Sequence, residues 1–292
     1  MDQKKTLKMD SGKSQITYNN SSGITAAYIT DTAGIWHSHK EYELVLNIAC
    51  NGTRIIGDSV ELFDKYDMVL IASGMPHSWH YYKGEKDLPE NHGMVLHFTR
   101  SSIGDVLLMQ PELKCVNKLL DESERGIVFS VNDALLTEKY LGQMINHKGL
   151  DKIIDLFCIL RILCKAKNKV FLCSDEYKKK YDERGNKKMA DIYLYIRENY
   201  FRPVTLQEIS EIFEMNSFSF SRFFKKNSGT CFIEYLNRIR TNRACYLLRE
   251  TEYPVHDIAA ECGFSSISNF NKQFRKTEGK SPSNYRAQFK TS

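Results

Sequence analysis

The chain has 292 residues, 42% hydrophobic and 26% charged, with a net charge of +5, values near globular averages that exclude a disordered or fibrous polypeptide and leave room for two domains. The opening MDQKKTLKMDSGKSQ is polar, and no later apolar run is long enough to span a bilayer, so a cytoplasmic protein without membrane contact is expected. Charge is uneven: residues 1–164 carry a net −4, residues 165–188 +5 and residues 189–292 +4, which points to a polyanionic partner for the second half.

From Ile16 to Phe98, short runs such as EYELVLNIAC, TRIIGDSVEL, MVLIAS and GMVLHF are separated by Gly, Asn, Asp and Pro. This rhythm predicts the strands of a small all-β barrel or sandwich. From about Ser102 to Lys167 the pattern turns helical. Leu150, Ile153, Ile154, Phe157, Leu160, Ile162 and Leu163 form an apolar face wider than one small sheet covers, suited either to a second copy of the chain or to closing the barrel. The eight cysteines show no CxxC spacing, so neither zinc sites of that kind nor disulfides are expected, and no cofactor is assigned.

Residues 174–188, SDEYKKKYDERGNKK, lack aliphatic side chains and read as a solvated linker. Three domain-level segments result: 1–173, the linker 174–188, and 189–292. In the last segment Pro203, Pro254 and Pro282 mark helix starts.

That segment contains an internal repeat. Phe220-Ser-Arg-Phe-Phe224-Lys-Lys-Asn-Ser-Gly229 after LQEISEIF matches Phe270-Asn-Lys-Gln-Phe274-Arg-Lys-Thr-Glu-Gly279 after HDIAAECGF, fifty residues on. Each unit predicts a short helix, a tight turn and a second helix that buries its phenylalanine pair. Gly263 supplies the turn of the second unit, whereas Glu214 holds the corresponding corner of the first. The opposite faces carry Phe218, Ser219, Ser221, Arg222 and Lys225, and Ser268, Asn269, Asn271, Lys272 and Arg275. Such side chains hydrogen-bond base edges or phosphates from a major groove. Between the units, CFIEYLNRIRTNRACYLLRET predicts one helix of about 18 residues, roughly 27 Å long, whose Arg238, Arg240, Arg243 and Arg249 suit either phosphate contact or plain solubility.

Residues 189–288 resemble the DNA-binding domain of AraC/XylS transcription regulators, most specifically along DIAAECGFSSISNFNKQFRKTEGKSPSNYR. The resemblance implies base contacts by Phe218, Ser221 and Arg222, and by Ser268, Asn269 and Lys272. Phe218 departs from a polar residue and suits thymine methyl contact or packing. The N-terminal half resembles the cupin-like sensor of that family through Gly34-Ile-Trp36-His37-Ser-His39-Lys-Glu-Tyr-Glu43, Gly52 and Met75-Pro76-His77-Ser78-Trp79.

Trp36, His37, His39, Glu43, His77 and Trp79 are therefore the candidate effector pocket. The HxHx3E spacing with a later His also matches metal-binding cupins, so His37, His39, Glu43 and His77 stand as minor metal candidates. His80, His92 and His97 follow no clear pattern, and Trp36, Trp79, Tyr81 and Tyr82 suit effector stacking or core packing.

The expected fold is α+β and multidomain: a cupin-like β-barrel with a helical dimerisation segment, then an all-α domain with two helix-turn-helix units joined by a linker helix. The expected function is effector-controlled, sequence-specific DNA binding rather than catalysis. The alternative is a metal-dependent cupin enzyme fused to a DNA-binding domain. Expected partners are double-stranded promoter DNA, a small-molecule effector, a second copy of the chain and, as a further candidate, RNA polymerase.

Overall fold

The computed structural model describes residues 23–29, 36–82, 92–175, 177 and 183–289. Seven strands come first among them: β1 (Ile24–Ile29), β2 (Tyr42–Asn47), β3 (Gly52–Ile56), β4 (Ser59–Phe63), β5 (Asp67–Ile71), β6 (His77–Tyr81) and β7 (Gly93–Phe98). The short helices α1 (Arg100–Ile103) and α2 (Asp105–Leu108) lead to α3 (Lys114–Glu122), β8 (Ile127–Phe129), α4 (Val131–Asn146), α5 (Gly149–Lys165) and β9 (Val170–Phe171).

All strand pairs are antiparallel. They form a six-stranded sheet ordered β1-β7-β2-β5-β8-β9 and a three-stranded sheet ordered β4-β3-β6. Alternation along the strands builds the layers, because successive side chains leave opposite faces. Leu44, Leu46, Met68, Leu70, Leu96 and Phe98 leave one face of the large sheet and pack with Leu119, Leu141, Ile159 and Leu163 of α3, α4 and α5. Their neighbours Val45, Val69, Ile71 and Val95 leave the other face and meet Ile56, Phe63 and Trp79 of the small sheet. A sheet covered on both faces explains why every residue of β2 is buried, Glu43 and Asn47 included.

The apolar face expected on α5 divides. Leu156, Ile159, Leu160 and Leu163 are buried, whereas Leu150, Ile153 and Ile154 near the helix start are exposed, as are Leu135 and Leu136 of α4.

The helical region runs through α6 (Glu183–Asn199), α7 (Leu206–Ile212), α8 (Ser217–Ser228), α9 (Phe232–Glu250), α10 (Val255–Glu261), α11 (Ile267–Glu278) and α12 (Pro282–Ala287). Helix α6 begins inside the stretch read as a linker, and residues 176 and 178–182 of that stretch lie outside the described residues. No helix among the described residues is long and apolar enough to cross a membrane.

The repeat is visible in backbone detail. Helices α8 and α11 each have 12 residues, with side-chain N-caps at Asn216 and Ser266 and left-handed glycine ends at Gly229 and Gly279. Gly263 turns with φ of 81°, and a Cβ there would strike the Tyr200 carbonyl. Glu214 makes the equivalent corner of the first unit with φ of 53°. The two corners therefore share a left-handed backbone, easy for glycine and strained for glutamate.

Candidate nucleic-acid interface and histidine cluster

The recognition surface follows from how α8 and α11 pack. Phe220, Phe224, Phe270 and Phe274 are fully buried, each pair one helical turn apart. Phe220 and Phe224 pack edge-on against Phe232 of α9, while Phe274 meets Tyr285 of α12. That burial fixes which face of each helix turns outward. Phe218, Ser219, Arg222 and Lys225 are exposed on α8 and Ser221 is half-buried. Ser268, Asn269, Asn271, Lys272 and Arg275 are all exposed on α11. The Arg222 guanidinium lies 5.8 Å from the Phe218 ring centroid, so this aromatic is part of a cationic face rather than of the core.

The connecting helix α9 has 19 residues and corrects the simpler reading of its arginines. Arg240 is buried and donates to the Tyr200 and Arg202 carbonyls at 2.7 Å each. Arg238 donates to the Val60 carbonyl at 2.8 Å, and Arg249 pairs with Asp64 at 2.7 Å. Arg243 lies over the rings of Tyr82 and Tyr246. These side chains tie the helical region to itself and to the small sheet.

The small sheet is thus docked on α9. Its outward residues Ile55 and Val60 share a core with Tyr235 and Leu236, and Leu62 packs against the cluster of Ala244, Leu247 and Leu248. Asn242 Nδ2 donates to the buried Thr53 Oγ1 at 3.3 Å, and Thr53 also bonds Tyr82 Oη at 2.6 Å. Tyr82 therefore packs between the two regions. Tyr81 points between the sheets and donates to Asn47 Oδ1 at 3.0 Å.

The inward side of the same sheets holds the histidines. Donor atoms of His37, His39, Glu43 and His77 all lie within 4.8 Å of one another. Glu43 is buried, and its Oε2 lies 2.6 Å from His39 Nε2, 2.9 Å from His97 Nε2 and 3.3 Å from His77 Nε2. Burial opposes ionisation of Glu43, but the charge of His77 and the hydrogen bonds from His39, His77 and His97 outweigh it and hold the carboxyl well below its usual range. Burial likewise opposes charging of His39, yet the adjacent Glu43 carboxylate raises its pKa.

His77 Nδ1 sits 2.8 Å from the Met75 carbonyl, which can only accept. The Nδ1 proton is therefore given to Met75, and His77 donates to Glu43 as well only when Nε2 also carries a proton. His37 is held against His77 by reciprocal backbone hydrogen bonds of 3.1 and 2.9 Å. His37 itself is exposed, so the cluster opens to solvent on that side.

His97 belongs to this cluster although no local spacing marks it. The β2–β7 register places Glu43 directly opposite His97, fifty-four residues along the chain. The two tryptophans part company: Trp79 lies 5.6 Å from His77, whereas the buried Trp36 packs 4.5 Å from Tyr193 of α6.

Comparison with known proteins bears on the helical region. Residues 209–288 match the family described as helix-turn-helix domain. The chain is 28% identical over 106 residues to the uncharacterised HTH-type transcriptional regulator YpdC of Escherichia coli, a match covering 36% of this chain and 37% of that protein. The chain thus spans little more than a third of such relatives. Against the HTH-type transcriptional activator RhaR of Mannheimia succiniciproducens, identity is 22% across 87% of both chains. The solved C-terminal domain of the two-component response regulator yesN from Fusobacterium nucleatum is 34% identical, with 34% of this chain and 98% of that domain covered and a TM-score of 0.34.

Proposed function

We propose that this chain, whose residues 209–288 match a helix-turn-helix domain family and resemble the DNA-binding domain of AraC/XylS regulators, is a sequence-specific transcription regulator controlled by an effector held between its two sheets. One observation carries the reading. Two helices of equal length and matching caps expose polar and cationic faces while burying matched phenylalanine pairs.

Arg222 and Lys272 have the reach and donors for base edges, Ser221, Ser268, Asn269 and Asn271 for bases or phosphates, and Lys225 and Arg275 for phosphate. Phe218, 72% exposed, suits contact with thymine methyl groups. The boundary between an effector-sensing unit, residues 1–173, and a DNA-binding unit, residues 189–292, is part of this proposal. So is a homodimer through exposed apolar side chains of α4 and α5, Leu135, Leu136, Leu150, Ile153 and Ile154 among them.

The test is selection of bound duplexes from a random-sequence library by the full chain. A reproducible motif with two half-sites about one helical turn apart is expected. Equal retention of all sequences, varying only with salt, would overturn the reading.

A further inference from the structure

We infer that Cys115 and Cys164 form a peroxide-oxidisable thiol pair, which closes into a reversible disulfide that cross-links α3 to α5. The inference is independent of the DNA-binding reading, and its test needs no duplex.

Packing brings the two sulfurs together. Cys115 stands one helical turn before Leu119 of α3, and Cys164 one turn after Leu160 of α5. Both leucines are fully buried in the core that the two helices share, and Cys164 packs against that core. Residues four apart lie on one helix face, so each cysteine sits at the solvent edge of the same helix–helix seam. There the Cys164 and Cys115 side chains hydrogen-bond to one another. Farther along the seam Glu122, two turns from Cys115 on α3, meets Lys169 just beyond α5 at 3.2 Å. A disulfide needs its two Cβ atoms about 4 Å apart. Thiols already in mutual contact approach that separation by side-chain rotation, with little movement of the helices.

Exposure assigns the roles. Cys115 is exposed and Cys164 half-buried. Burial, and then the hydrogen bond and charge of Cys115, push the Cys164 thiol up to about 12. Near neutral pH Cys164 therefore keeps its proton and is a poor first nucleophile, and Cys115 is the sulfur that peroxide reaches. The Cys115 thiolate attacks one peroxide oxygen: the S–O bond forms, the O–O bond breaks, and the departing hydroxide takes up a proton as water. The product is a sulfenic acid. It is neutral, so the Cys115 charge that helped to hold the Cys164 proton is gone. The Cys164 sulfur then attacks the Cys115 sulfur: the S–S bond forms, the S–O bond breaks, and hydroxide leaves with the Cys164 proton as a second water. Two thiols are oxidised while one peroxide is reduced to two waters.

The other cysteines supply the comparison. Cys50, Cys173, Cys245 and Cys262 are buried, whereas Cys231 is exposed at the start of α9. Cys231 thus reports how far a given dose of peroxide reaches an accessible thiol.

The experiment treats the reduced full chain with equimolar hydrogen peroxide, alkylates the remaining thiols with iodoacetamide, and maps the peptides by mass spectrometry without reduction. A disulfide between the Cys115 and Cys164 peptides is expected, with two thiols lost per chain and both recovered on adding dithiothreitol. The Cys164→Ser chain should stop at a Cys115 sulfenic acid that dimedone traps. The Cys115→Ser chain should oxidise at Cys164 at least about tenfold more slowly than the wild type. The wild-type map needs no variant, so it decides the matter even if a substitution disturbs folding.

Peroxide that oxidises Cys231 while Cys115 and Cys164 both stay open to alkylation overturns the pair. So does a disulfide that joins Cys115 to a second chain, or to any thiol other than Cys164. Unslowed oxidation of Cys164 in the Cys115→Ser chain overturns the assignment of Cys115 as the sulfur attacked first.

Discussion

The two helix-turn-helix units share a backbone plan but differ in what surrounds them. The second has a core made by α9, α10, α11 and α12, to which the sheets add Leu62, its corner is Gly263, and α11 turns Ser268, Asn269, Asn271, Lys272 and Arg275 outward. The first shares a core with Trp36, Ile55 and Val60 of the sheet region, turns on a strained Glu214, and exposes an aromatic, Phe218. A duplicated motif has kept its fold while the sheet region gives more of its side chains to the core of the first copy than to that of the second.

The largest expected effect probes the two cores. Phe274→Ala should destabilise the chain by about 3–5 kcal/mol, measured by urea unfolding. Phe224→Ala should cost a similar amount and in addition change Trp36 emission in the Trp79→Phe background. Identical spectral behaviour of both variants would remove the asymmetry between the units.

Next come the recognition faces. Lys272→Ala and Arg222→Ala should each weaken binding to the selected duplex by about 1–3 kcal/mol and relax sequence preference. Uniform weakening on all sequences, seen by competition binding, would reduce the residue to a phosphate contact.

The corners give a smaller, signed pair of effects. Glu214→Gly should stabilise the chain by about 1 kcal/mol through relief of the left-handed backbone. Gly263→Ala should destabilise it by more, since its Cβ meets the Tyr200 carbonyl. Equal responses in thermal melts would show that the corners are not equivalent.

The mildest effect near neutral pH belongs to His80, on the small-sheet face that meets the helical region. Burial, with Arg197 adding to it, pushes His80 from the ordinary value of 6.5 down to about 3. A depressed histidine contributes stability that is present above about pH 6.5 and is lost as pH falls toward 3. The urea midpoint should therefore drop on acidification through this window, and His80→Gln should flatten that part of the profile. An unchanged profile would exclude His80 as the titrating group.

The repeat was legible in the sequence because helical burial leaves a mark every four residues, as Phe220–Phe224 and Phe270–Phe274 do. The HxHx3E pattern likewise named His37, His39 and Glu43, since neighbouring positions on one chain turn fall together. His97 was not legible: its place beside Glu43 comes from strand register across fifty-four residues. Nor was the docking of α9 on the small sheet. Strand alternation reads the same whether Thr53, Ile55 and Val60 meet water or a partner layer. Four arginines on one helix look alike until carbonyls and carboxylates elsewhere in the fold are assigned to them.

The engagement of α9 by the sheet region has a consequence for ionic strength. DNA affinity falls with salt in proportion to the phosphates neutralised, because each contact releases condensed counterions. Arg238, Arg240 and Arg249 spend their donors on Val60, Tyr200, Arg202 and Asp64, so in this arrangement they release none. The logarithmic salt slope therefore counts only the cations that the rest of the protein leaves uncommitted, and a steeper slope under one set of conditions would register the undocking of α9 from the small sheet.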